Sequence, residues 1–165
     1  MKNTLKITTS GDRDLVMTRA FDAPRRLVYD AHTKPELVRQ WLLGPPGWTM
    51  PVCEMDVRVG GKYRWVWKSE RDGTMMGMGG VYREVVAPER LVATEKFDDA
   101  WYPGEATNTL VLVERDGRTT LTQTTRYESG AAREAVLKSG MEKGVVASYD
   151  RLEDVLAATA NANPR

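Results

Sequence analysis

Residues 60 to 67 read Gly-Gly-Lys-Tyr-Arg-Trp-Val-Trp, and this run constrains the fold more than any other. Side chains along a strand alternate between its faces, so Tyr63, Trp65 and Trp67 share one face. That much aromatic area on one strand face needs either a very thick core or a cavity beneath it. We read a cavity. Trp41 and Trp48 fall just upstream, with Pro45-Pro46-Gly47 between them, so four of the chain's five tryptophans gather in one stretch.

A meander of strands surrounds this run. Alternating segments are predicted at Val52–Val59, Lys62–Glu70, Thr74–Val86, Arg90–Phe97, Thr107–Arg115 and Arg118–Tyr127. Asp72-Gly73 and Asp116-Gly117 are hairpin-turn dipeptides, and Pro88-Glu89 marks another tight connection. No crossover helix separates these segments, so the strands pair antiparallel. Upstream, a strand spans Leu15–Phe21. A short helix opens at Asp22-Ala23-Pro24 and runs to about Ala31, and a second runs from Pro35-Glu36 through Leu42; proline suits a first helical turn. Downstream, one long helix is predicted from Gly130 to about Ala160. Its apolar stripe is Leu137, Met141, Val145, Ser148, Leu152 and Val155, with Lys138, Glu142, Asp150, Glu153 and Asp154 on the opposite side.

The order is strand, two short helices, about six strands, one long helix, which is α+β. The long helix can bury its stripe only against the concave side of a strongly curved sheet of about seven strands, with the two short helices closing one end. A single domain over residues 1–165 is expected, with an ordered core from about 13 to 158.

Charge excludes several function classes. The 24 basic and 23 acidic residues are well mixed, for a net charge of +1, and form no basic stripe for nucleic acid. The opening MKNTLKITTSGDRD has no apolar run, so neither a secretory signal nor a membrane segment is expected, and a cytoplasmic location is. Cys53 is the only cysteine and His32 the only histidine. Together they cannot form a structural zinc site, and any Ser-His-Asp arrangement would have to use His32. No metal and no cofactor is expected.

The candidate site residues follow from the faces. Met76, Met78 and Tyr82 share a strand face, in a segment broken by Gly77, Gly79 and Gly80 that lets it bend or bulge. Glu95 shares a face with Leu91, Ala93 and Phe97; if that face points inward, burial raises its pKa. Gln123 shares a face with Leu121, Thr125 and Tyr127 and offers both a donor and an acceptor. Trp101, Leu110 and Leu112 complete the strand-borne set, and Met141, Gly144, Val145 and Ser148 are the helix's share. Gly140 and Gly144, four apart beside the stripe, either allow close helix–sheet packing or leave room for a ligand. His32 ends the first short helix, where the dipole favours an imidazolium; it and Glu95 are the only candidates for acid–base chemistry. Cys53 reads as a buried, inert thiol. Glu54, Asp56 and Arg58 read as an exposed polar face.

Longer motifs carry a resemblance. They are Phe21-Asp22-Ala23-Pro24 with Val28; Pro35-Glu36 with Trp41; Gly44-Pro45-Pro46-Gly47; Asp56-Val57-Arg58-Val59-Gly60-Gly61-Lys62-Tyr63; Gly80-Val81-Tyr82-Arg83-Glu84-Val85 followed by Pro88-Glu89-Arg90-Leu91-Val92; and Gly140-Met141-Glu142-Lys143-Gly144 with Asp150-Arg151-Leu152. From about Leu15 to Leu156 the chain resembles the helix-grip superfamily (START-like, or SRPBCC) that includes the birch-pollen allergen. Within it, the chain is most similar to the family of the C-terminal domain of the activator of Hsp90 ATPase. The resemblance implies a helix-grip fold and an apolar small molecule held between sheet and long helix. It also implies two alternatives: an enzyme of the polyketide cyclase/dehydratase or hydrolase kind using the same cavity, and a chaperone-associated protein-binding module. The expected partner is a small apolar or aromatic ligand, with no nucleic acid and no membrane, for a monomer or homodimer.

Overall fold

The computed structural model describes residues 4–99, 102 and 104–162. Eight strands form one antiparallel sheet: β1 (Lys6–Ser10), β2 (Asp14–Phe21), β3 (Trp48–Met55), β4 (Lys62–Ser69), β5 (Met75–Val86), β6 (Arg90–Phe97), β7 (Ala106–Arg115) and β8 (Arg118–Arg126). Their order across the sheet is β1-β2-β8-β7-β6-β5-β4-β3. Helices α1 (Arg25–Thr33) and α2 (Pro35–Trp41) carry the chain from β2 to the far edge at β3, and α3 (Gly130–Lys138) and α4 (Met141–Ala162) follow β8. The architecture is α+β, as the segment order dictates.

The hairpin dipeptides behave as turn chemistry requires. Asp116 and Gly117 hold φ of 53° and 75°, the two positive values of a type I′ turn. Three departures from the sequence reading have local causes. The added strand β1 is short and polar, and only its pairing with β2, Ile7 opposite Met17, makes it a strand. The third strand begins earlier than predicted and ends at Met55, because residues 56–61 turn, with Gly61 N–H donating to Arg58 O at 2.8 Å. The long terminal helix is two helices: Gly140, at φ 80°, sits after the Ser139 cap of α3 and redirects the chain into α4.

The interior has a filled end on each side of a central space. At one end Phe21, Leu112, Leu121, Leu152 and Leu156 form the main core, where the C-terminal half of α4 rests on the sheet. At the other, Leu15, Ala106 and Tyr127 pack against Ala132 and Val136 of α3. Arg19 lies on the inward face of β2, only 1% exposed, and its Nη2 donates to Asp150 at 2.9 Å and Glu153 at 3.1 Å on α4. Asp150 and Glu153 were expected on the solvent side of the helix; the buried guanidinium turns them inward. A charge so deeply buried needs such partners. Among the described residues, no helix is long and apolar enough to cross a membrane.

Candidate functional site

The β4 aromatic face borders a cavity of about 620 Å³ between the two filled ends. The N-terminal half of α4 roofs it with Met141, Gly144, Val145 and Ser148, joined by Tyr149. Tyr63, Trp65 and Trp67 of β4, Met76, Met78 and Tyr82 of β5 and Glu95 of β6 form one wall. Leu110 of β7 and Gln123 of β8 continue it, and His32, Trp41 and Trp48 line the end near the short helices. Leu112 does not reach the cavity. It lies two residues farther along β7 than Leu110, where the sheet is covered by the core-forming part of α4. Trp101 lies outside the described residues.

Each aromatic is held differently. Tyr63 O–H donates to Thr94 O at 2.6 Å, its ring passing over Gly80, where any side chain would collide with that ring and with the Thr94 carbonyl. This close approach is why Gly80 must be glycine. Trp41 Nε1–H donates to Ala31 O at 2.8 Å and Trp67 Nε1–H to Leu42 O at 2.7 Å. Trp65 Nε1 is buried with no partner among the described residues. The loop carrying Leu42 is pinned from above: Gly44 N–H donates to Ser148 Oγ at 2.9 Å, and a Cβ on Gly144 would stand 3.3 Å from Pro45 Cδ. Of the two explanations for Gly144, close packing is the one its surroundings supply, against this loop rather than against the sheet.

The polar groups converge on the wall around Glu95. Asn108 Nδ2–H donates to Glu95 Oε1 at 2.8 Å, Tyr102 O–H donates to Oε2 at 3.5 Å, and Thr125 O–H donates to Asn108 Oδ1 at 2.6 Å. Burial raises the Glu95 pKa, and the Asn108 and Tyr102 hydrogen bonds oppose that rise. Burial likewise raises the phenols of Tyr63, Tyr102 and Tyr127, with Glu95 adding to each.

His32 departs from expectation. Its Nδ1–H donates to Val28 O at 2.8 Å, and its ring meets Trp41 edge-on, with centroids 4.9 Å apart. The residue keeps some accessible surface, but Nε2 is shielded and unpartnered, and burial lowers the pKa to about 4. Desolvation outweighs the helix dipole, so the ring is neutral near pH 7 rather than an imidazolium. Cys53 is buried and its pKa raised by burial, which disfavours the thiolate. Glu54 is exposed, and Asp56 pairs at the surface with Arg58 at 2.8 Å. Among the described residues, no cluster of potential metal ligands is present.

Sequence reasoning did not single out Asn108, Tyr102 or Tyr149. Asn108 was within reach, since it shares strand parity with Leu110. Tyr102 follows no regular element, and Tyr149 lies beside the predicted stripe rather than on it.

Residues 22–157 match the family model described as activator of Hsp90 ATPase homolog 1-like protein. A Rhodobacter sphaeroides crystal structure is similar at 31% identity and TM-score 0.87, covering 94% of this chain and 99% of that one. A Mycobacterium smegmatis structure is similar at 25% identity and TM-score 0.82, with coverages of 95% and 99%. One from Chromobacterium violaceum stands at 28% and 0.75, with coverages of 88% and 98%. No curated protein matches the sequence. On the family model and the fold together, this chain belongs to the activator of Hsp90 ATPase homolog 1-like family.

Proposed function

We propose that the protein binds a small, largely apolar molecule with aromatic character in the cavity between the sheet and α4. The observation that carries this reading is a cavity of about 620 Å³ walled by Trp65, Trp67, Met76, Met78 and Tyr82, with polar groups clustered around Glu95. Small-molecule sites are commonly roughly 300–1,000 Å³, mainly apolar, with a few polar groups that orient the ligand. The site residues would act by shape: methionines adapt to the ligand outline, tryptophans stack on it. Titration with a diverse apolar panel, read by tryptophan emission, tests the proposal. Saturable quenching at micromolar concentrations is expected. Absence of saturable quenching across the panel refutes it.

A second reading is an enzyme of the cyclase/dehydratase or hydrolase kind in the same cavity. It draws on Glu95 and His32, both displaced from their ordinary pKa values and both on the lining. Turnover of a bound compound, lost in Glu95→Gln while binding persists, would favour it. The chaperone-associated reading rests on the family alone.

A further inference from the structure

We propose that the cavity selects hydrophobic amines, organic cations whose ammonium group pairs with Glu95 while the apolar body lies against the tryptophans. This inference rests on the binding reading above and names the ligand's charge.

The argument starts from an unbalanced charge. Glu95 reaches into the cavity from β6, and both its oxygens act as acceptors: Oε1 from Asn108 at 2.8 Å, Oε2 from Tyr102 at 3.5 Å. Thr125 donates to Asn108 Oδ1 at 2.6 Å, which turns the amide nitrogen toward Glu95. With Asn108 Nδ2–H on Oε1 and the Tyr102 hydroxyl donating to Oε2, the two hydrogen bonds favour the carboxylate against the burial that raises its pKa. Buried carboxylates are ordinarily paired with a cation. Here the neighbours are neutral: Asn108 from β7, Thr125 and Tyr127 from β8, Tyr63 from β4, and Tyr102. No lysine or arginine lines the cavity among the described residues, and His32 is neutral. Arg19, buried on the inward face of β2, is taken by Asp150 and Glu153.

A ligand ammonium would supply the missing charge and turn the Tyr102 contact into one arm of a charge-assisted cluster. Aromatic faces on Tyr63, Trp65 and Tyr127 add attraction for a cation near them. A carboxylate ligand would set a second anion beside Glu95 with nothing to offset it, so fatty-acid-like compounds are disfavoured.

Isothermal titration at pH 7 with three probes of one skeleton, 4-phenylbutylamine, 4-phenylbutanol and 4-phenylbutanoate, separates the cases. The amine should bind at least about tenfold tighter than the alcohol, and the carboxylate weakest, a difference within reach of one charged hydrogen bond. Glu95→Gln keeps the acceptor for Asn108 and removes the charge. It should bring the amine to within about threefold of the alcohol. The wild-type series stands without the variant, so a Glu95→Gln protein that fails to fold leaves the test intact. Alcohol and amine binding equally, or the carboxylate binding best, overturns this inference and leaves the cavity reading standing. No binding by any of the three, together with a silent apolar panel, overturns both.

Discussion

Protonation of His32 should destabilise this protein, and the size of the effect can be worked from its surroundings. In the unfolded chain a histidine titrates near 6.5, whereas in the fold burial lowers His32 to about 4. Above roughly pH 7.5 both states hold a neutral ring, and the contribution to stability is constant. As pH falls through 6.5 the unfolded chain takes up a proton that the folded chain refuses, so stability falls. The loss accumulates between 6.5 and about 4 and levels off below. At about 1.4 kcal/mol per unit, a shift from 6.5 to about 4 corresponds to at most about 3.5 kcal/mol. The ring's residual accessible surface lowers that figure. His32→Gln removes the titration. It also loses the Nδ1–H bond to Val28 O and the edge contact with Trp41, a pH-independent offset of about 1 kcal/mol. Urea unfolding from pH 4 to 8, followed by tryptophan emission, yields the difference between wild type and variant, in which contributions common to both proteins cancel. The wild type should lose stability relative to the variant toward acid. A flat difference, or one that grows in favour of the wild type toward acid, would refute the neutral buried ring. It would restore the imidazolium at the helix end.

Glu95→Gln should show the opposite pH dependence. A carboxyl whose pKa is raised by folding is stabilising below its unfolded value near 4.5, and that benefit is lost as pH rises through the folded value. The variant should therefore gain on the wild type as pH rises, in the same urea series. Arg19→Ala should cost about 3 kcal/mol by denaturant unfolding, because it removes the buried guanidinium's bonds to Asp150 and Glu153 and opens a void. Arg19→Met, which fills the volume, should recover part of that cost; a cost equal to that of the alanine change would mean that the lost charge, not the void, dominates there. Gly144→Leu should lower stability by roughly 1–3 kcal/mol in a thermal melt, since Pro45 stands 3.3 Å from the first added carbon. An unchanged melting temperature would mean that the Gly44–Pro45 loop yields freely.

Alternation and turn chemistry, both local properties, were enough to place the strands from β4 to β8, the hairpin turns and the short helices. The resemblance in the Gly-Gly-Lys-Tyr block and its companions reached the family and the sheet-around-helix plan without coordinates. Parity also grouped Tyr63 with Trp65 and Trp67, Glu95 with Leu91 and Phe97, and Gln123 with Leu121 and Tyr127, because a strand's two faces are set by counting residues; which face lines the cavity was decided by packing. Counting fails where the chain leaves regular structure or where two distant segments decide a state together. Gly140 breaks a helical pattern whose periodicity continues across it, and only its positive φ reveals two helices. Leu112 has the parity of Leu110 yet falls under the core end of α4, because parity selects a face and says nothing of position along the cavity. The role of Gly144 depends on a loop a hundred residues away in sequence. Asp150 and Glu153 look like solvent-facing helix residues until Arg19, from β2, is placed beneath them. The protonation of His32 turned on the same kind of fact. A helix dipole can be read from sequence, but the desolvation that outweighs it exists only once Trp41 and the cavity wall have enclosed the ring.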